Sequence, residues 1–163
     1  MLDALVIALG LDADSVRTHF KYLDGQLRLL HYMPLPCETL KGTRSFRINP
    51  HCDYGLFTLL FQDTMGGLEV DRFHDGNFTA AIPVTATIVL NVADLLQRFS
   101  NDRMRSTRHR VVAPQITDEQ LEELGPNVSL PARYSTAFFV HPARDVTISP
   151  QVIDGEEAHY IPV

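Results

Sequence analysis

The chain has 163 residues, 45% of them apolar and 21% charged, which is the make-up of an ordinary soluble domain large enough to bury one core. Its formal net charge of -6 leaves no basic footprint and speaks against a nucleic-acid partner. Two cysteines, Cys37 and Cys52, are too few for a disulfide framework and point to a reducing compartment, so a cytoplasmic protein is expected.

The first segment, "MLDALVIALGLD", is apolar but carries Asp3 and no positive flank, unlike a signal peptide. Residues 1–23 read as one helix or two short ones, and residues 1–25 as a helical lead-in. After the "DG" of Asp24 and Gly25 the texture changes to short runs rich in β-branched and aromatic residues. In order they are "QLRLLHY" (26–32), "SFRI" (45–48), "LFTLLF" (56–61), "GLEVDRF" (67–73), "NFTAAIPV" (77–84), "ATIVLNV" (86–92), "RHRVVA" (108–113), "YSTAFFV" (134–140) and "DVTIS" (145–149). Gly, Pro, Asn and Asp separate them, the texture of a sandwich or barrel of many short strands. The longest apolar stretch, residues 80–96, is broken by Pro83, Asn91 and Asp94 and is no membrane span. Two helices interrupt the strands. "DLLQRFS" starts with Asp94 as N-cap and has Gln97 three residues on, and "TDEQLEEL" repeats the pattern with Thr117 and Gln120. The expected fold is mainly β, with a helical lead-in and one or two short helices.

The stretch "INPHCDYGLF" places a histidine and an aspartate two apart. Along a strand, alternate side chains share a face at ~6–7 Å, so His51 and Asp53 converge while Cys52 points away. Burying this pair is expensive unless a third group compensates it. His109, in "STRHRVV", is the candidate partner. Two imidazoles and one carboxylate on one side of a metal, with neighbouring positions open, form the facial triad of non-haem Fe(II) oxygenases. Further on, "RYSTAFF" puts Arg133 and Ser135 on one strand face, a fork and a hydroxyl suited to a carboxylate. H-x-D alone is a weak signal; H-x-D, then H-R-V, then R-x-S, each in a β-rich run, is specific. His31, His74, His141 and His159 have no partner at ligand spacing. Asn91 and Asp94 read as turn and cap residues. If alternation continues past Gly55, Phe57 and Leu59 share the face of His51 and Asp53.

From about Leu27 to Pro142 the chain resembles the isopenicillin N synthase-like branch of the iron- and 2-oxoglutarate-dependent dioxygenases. The segments that carry the resemblance are "LRLLHYMPLP", "HCDYGLFTLLFQD", "GGLEV", "NVADLLQRFSNDRMRSTRHRVV" and "RYSTAFFVHP". The resemblance implies a double-stranded β-helix (jelly roll) over residues 26–150 and a C-terminal tail over 151–163, with longer flanks on either side in the relatives. It implies Fe(II) on His51, Asp53 and His109. It also implies 2-oxoglutarate anchored by Arg133 and Ser135 with Tyr32 beside it, and a substrate near Phe139 and Leu68, to which strand alternation adds Phe57. Many relatives carry Asn where this chain has Leu30. The implied reaction uses O2 to oxidise an unactivated C–H bond of a small molecule, releasing succinate and CO2. The alternatives are an oxidase of the isopenicillin N synthase type that needs no 2-oxoglutarate, and an inactive metal-binding core acting as an interaction module. A zinc hydrolase lacks an obvious general base. Neither the substrate nor the oligomeric state is legible.

Overall fold

The computed structural model describes residues 2–10, 13–40, 45–113, 117–125, 127–153 and 155–163. Among these residues, ten strands fall into two four-stranded antiparallel sheets and one two-stranded ribbon. The first sheet runs β1 (Leu23–Tyr32), β10 (Arg133–Pro142), β4 (Phe57–Gln62) and β7 (Val89–Val92). The second runs β3 (Phe46–His51), β8 (His109–Val112), β5 (Leu68–Val70) and β6 (Thr79–Ala80). The ribbon pairs β2 (Leu35–Pro36) with β9 (Ser129–Leu130). The chain crosses directly between the sheets from β3 to β4, from β4 to β5, from β6 to β7 and from β7 to β8. This is the winding of a double-stranded β-helix, as the family resemblance implies.

The lead-in forms two short helices, α1 (Leu2–Leu9) and α2 (Ala13–His19). No described helix is long and apolar enough to cross a membrane. Val16 and Phe20 join Leu56, Phe57, Leu95, Leu96, Phe99, Val140 and Ile148 in the main core, and the Phe20 and Phe99 rings meet edge to face at 4.9 Å. Strand alternation puts Phe57 and Val140 on one face of the first sheet and Thr58 and Phe139 on the other. The core therefore lies behind the first sheet. The space between the two sheets is left for a cavity.

Several elements depart from the sequence reading, each for a local reason. Strand β1 starts at Leu23, inside the stretch read as helical lead-in, and its register with β10 continues to Leu23↔Pro142. A Cβ on Gly25 would sit 2.8 Å from the Phe138 ring, so this glycine serves close approach between strands. The expected strands at 67–73 and 77–84 shrink to three and two residues. Buried Asp71 ends β5 by accepting the backbone N–H groups of Asp75 at 3.1 Å and Gly76 at 3.2 Å, which fixes a turn there. Residues 145–149 form no strand; Ile148 instead exchanges two backbone hydrogen bonds with Val163, at 2.7 and 3.2 Å. Helix α4 (Asp118–Leu124) has the expected capping box. Gln120 N–H donates to Thr117 Oγ1 at 3.2 Å, and Thr117 N–H donates to Gln120 Oε1 at 3.0 Å.

Candidate metal centre

His51 ends β3 and His109 opens β8, and the two are register partners across the second sheet. Their rings lie 4.3 Å apart between centroids, tilted by 53°. Asp53 reaches the same spot by a route other than the expected alternation. The β3–β8 ladder is irregular on both sides of Ile48, and the strand stops at His51, so Asp53 lies in the turn that carries the chain to the first sheet.

That turn is held by helix α3 (Asp94–Phe99). Asp94 N–H donates to the Asp53 carbonyl at 2.9 Å, and Leu95 N–H lies 3.1 and 3.0 Å from the Tyr54 and Gly55 carbonyls. The expected Asp94 cap is therefore corrected. The N-cap is Ala93, with no side-chain cap, because these carbonyls already satisfy N–H groups at the helix start. Gly55 is required at the crossing, since a Cβ there would stand 2.5 Å from the Val140 carbonyl oxygen.

The donor atoms of His51, Asp53 and His109 all lie within 4.8 Å of one another. Asp53 Oδ1 faces both imidazoles, 3.7 Å from His51 Nε2 and 3.6 Å from His109 Nε2. Each Nδ1 is beside a backbone carbonyl, Asn49 at 2.8 Å for His51 and Thr107 at 3.0 Å for His109. A carbonyl only accepts, so each Nδ1 carries a proton, and Nε2 is the ring nitrogen that faces Asp53 and is placed to serve as a ligand. Two imidazoles and one buried carboxylate converging on one point are a donor set that fits Fe(II). Cys52, between the ligands in sequence, is not part of the converging group, and burial pushes its thiol above the ordinary range.

Arg133 supplies the second half of the site from the first residue of β10. It is 4% exposed. Its Nε donates to the Gly66 carbonyl at 2.6 Å, Nη1 to Ser135 Oγ at 3.1 Å and Nη2 to Gln62 Oε1 at 3.4 Å. Among the described residues it forms no ion pair. The Tyr32 ring has two guanidiniums near it, with Arg133 Cζ 4.8 Å and Arg47 Cζ 5.9 Å from its centroid. Burial and the neighbouring Arg133 charge lower the Arg47 pKa. A buried guanidinium with only neutral acceptors is an incomplete arrangement that a carboxylate completes.

A cavity of about 400 Å³ between the sheets connects the two halves. Its walls include Tyr32, Arg133 and Ser135 together with His51, Asp53 and His109, and Leu30, Leu68 and Phe139 are among the apolar lining. Phe57 is corrected: it lies in the core behind the first sheet, and Thr58 and Leu60 take the cavity face. Alternation does not carry through Gly55, because the chain changes sheets there. Leu59 likewise packs against the core. His31 stacks on Tyr134 at 4.6 Å, and His159 is bonded to Asp102. Asn91 is corrected as well. It is the third residue of β7, and its amide donates to Asp53 Oδ2 at 2.8 Å, beside a second donor, Thr58 Oγ1, at 2.6 Å. Sequence reasoning missed both; the one available signal was a polar residue at an inward position in each of two apolar strands.

Residues 23–142 match the profile of the 2OG-Fe(II) oxygenase superfamily. The 2-oxoglutarate-dependent dioxygenase htyE of Aspergillus rugulosus is 37% identical over 165 residues, covering 98% of this chain and 48% of that protein. The proline hydroxylase buaE of Petromyces alliaceus is 42% identical over 144 residues, covering 83% of this chain and 41% of that protein. Among solved structures, a full-length Neurospora crassa protein crystallised in complex with alpha-KG and thymine superposes with a TM-score of 0.82 at 35% identity, covering 99% of this chain and 47% of that one. The chain spans about half the length of the curated relatives it matches. With that match over residues 23–142, this chain belongs to the 2OG-Fe(II) oxygenase superfamily.

Proposed function

We propose that the chain is the catalytic core of an Fe(II)- and 2-oxoglutarate-dependent oxygenase that oxidises an unactivated C–H bond of a small organic molecule. His51, Asp53 and His109 hold the iron, and Arg133, Ser135 and Tyr32 seat the distal carboxylate of 2-oxoglutarate. In this reading residues 26–150 form the catalytic domain, with 1–25 and 151–163 as flanking segments. When bound, the iron with O2 and 2-oxoglutarate supplies the oxidising power, one oxygen atom going to the substrate and the other to succinate as CO2 is released.

The residues of the chain position and insulate. The Asn49 and Thr107 carbonyls keep a proton on each Nδ1, which leaves Nε2 free as ligand. Gly66 occupies the Arg133 Nε, so the terminal nitrogens and Ser135 are the groups left for the cosubstrate. Orientation of that molecule between two fixed ends is an entropic contribution made before the reaction begins. Leu30, Leu68 and Phe139 give the cavity apolar walls that exclude water and bound the substrate.

One observation carries the reading: a buried arginine without an acidic partner among the described residues shares a cavity with a His/Asp/His cluster. The name of the Aspergillus relative and the alpha-KG in the Neurospora complex favour a 2-oxoglutarate-using enzyme over an oxidase that dispenses with it. Thymine in one structure and a proline hydroxylase among the relatives agree with small-molecule substrates and hydroxylation. Anaerobic titration with Fe(II) and then 2-oxoglutarate tests the proposal through the charge-transfer absorption of the chelate. Absence of that band, with Fe(II) bound, refutes it. Succinate release stimulated by candidate substrates then sorts the substrate class.

A further inference from the structure

We propose that Thr58 and Asn91 form a clamp that restricts Asp53 to binding iron through one oxygen, Oδ1, and so keeps the other coordination positions free for the reaction. The inference rests on the reading of His51, Asp53 and His109 as the iron site.

The two oxygens of Asp53 have different surroundings. Oδ1 faces the two imidazole nitrogens at 3.7 and 3.6 Å. Oδ2 accepts the Thr58 hydroxyl at 2.6 Å and the Asn91 amide at 2.8 Å. Thr58 and Asn91 are register partners on adjacent strands β4 and β7, so their donors come from one rigid patch of the first sheet. The two histidines belong to the second sheet. Asp53, in the crossing turn, is thus tied to one sheet by Oδ2 and turned toward the other by Oδ1. A carboxylate is the strongest acceptor in this neighbourhood, so the Asn91 amide presents its NH2 to it. Rotating the carboxylate to offer both oxygens inward breaks both bonds. Asp53 and Thr58 are 8% and 4% exposed, so little water is at hand to replace them.

The consequence lies in coordination number. An octahedral ferrous ion with three protein donors has three positions left. A chelating 2-oxo acid takes two and O2 needs the third. A carboxylate binding through both oxygens takes one of these and blocks either chelation or oxygen. Thr58 and Asn91 are positioning residues acting through Asp53, and outer partners of this kind typically change metal affinity by roughly 10- to 100-fold when removed.

The test uses Co(II), whose visible absorption reports coordination number and geometry, added to the chain before and after 2-oxoglutarate. Thr58→Val and Asn91→Leu remove the donors at similar volume, and Thr58→Ser keeps one. The expected result is Co(II) affinity roughly 10- to 100-fold weaker in Thr58→Val and Asn91→Leu, with an altered spectrum and a smaller response to 2-oxoglutarate, and wild-type behaviour in Thr58→Ser. Circular dichroism of the metal-free variants checks folding; if Asn91→Leu fails to fold, Asn91→Ser, smaller and polar, replaces it with the same expectation. Wild-type affinity and spectrum in both folded variants overturn the clamp. A wild-type chain that takes up no Co(II) overturns the iron-site reading itself, a separate and recognisable failure.

Discussion

Replacing Arg133 by lysine keeps the positive charge and removes the fork, and so isolates what the geometry contributes. Arg133 uses Nε on the Gly66 carbonyl at 2.6 Å and directs Nη1 and Nη2 toward Ser135 and Gln62. A carboxylate entering beside Ser135 meets the two terminal nitrogens while Nε remains occupied. A lysine has one nitrogen and cannot hold both Gly66 and the carboxylate in the same directions. At least one charge-assisted hydrogen bond is lost, about 1.5–3 kcal/mol, which converts to roughly 10- to 150-fold weaker 2-oxoglutarate binding. Fe(II) affinity is expected to stay near wild type, because no iron donor is touched. The assay is anaerobic titration of the Fe(II)-loaded variant with 2-oxoglutarate, read by chelate absorption, with the metal titrated separately. Unchanged 2-oxoglutarate affinity in a folded, iron-loaded Arg133→Lys chain refutes the anchor assignment. Loss of iron binding in the same variant refutes the separation of the site into two halves.

Adding Co(II) at a hundred times its dissociation constant is expected to stabilise the chain by about 2.7 kcal/mol, seen as a rise in Tm that His109→Ala abolishes. A rise that survives His109→Ala places the metal elsewhere. Gly55→Ala drives a methyl against the Val140 carbonyl oxygen and the His141 ring, at 2.5 and 2.7 Å, and is expected to cost about 1–3 kcal/mol in urea unfolding. No change in midpoint shows that the crossing turn can shift. Burial acts to raise the Asp102 carboxyl, but hydrogen bonds from Tyr160, His159 and Gln97 outweigh it and hold its pKa below the ordinary value. A depressed carboxylate stabilises the fold above its unfolded pKa of about 3.9 and loses that contribution as the pH falls through the folded value. Acid is therefore expected to loosen the contact between residues 157–160 and the turn after α3, followed by hydrogen exchange, and Asp102→Asn to loosen it already at neutral pH. Identical exchange in Asp102→Asn and wild type at neutral pH removes Asp102 from that role.

Period and punctuation alone made the strands visible. Short β-branched runs between Gly, Pro, Asn and Asp place β3, β4, β7, β8 and β10 within a few residues, and Thr117 with Gln120 marks the start of α4 correctly. Local pattern failed where a distant partner decides. Gly25 reads as the end of the lead-in because nothing local shows that it lies in a strand with Phe138 passing over it. Asp94 looked like a cap because nothing local shows that the Asp53, Tyr54 and Gly55 carbonyls will take the helix N–H groups. Phe57 was assigned to the cavity because alternation was carried through a glycine where the chain changes sheets. Residues 145–149 have strand composition, yet their backbone partner is the chain end at Val163.

Residue order alone supplies the inventory: which residue types are present, in what succession, in strands or between them, and hence the family the chain resembles. H-x-D, H-R-V and R-x-S are chemical statements, and their order survives without coordinates. Only the tertiary structure decided which oxygen of Asp53 faces the imidazoles, that Arg133 is buried without a described acid beside it, and that Asn91 belongs to the site. The reason is physical. Propensity and periodicity act over a few residues, whereas a converging cluster depends on register between strands 38 to 58 residues apart, and no local rule sets that register.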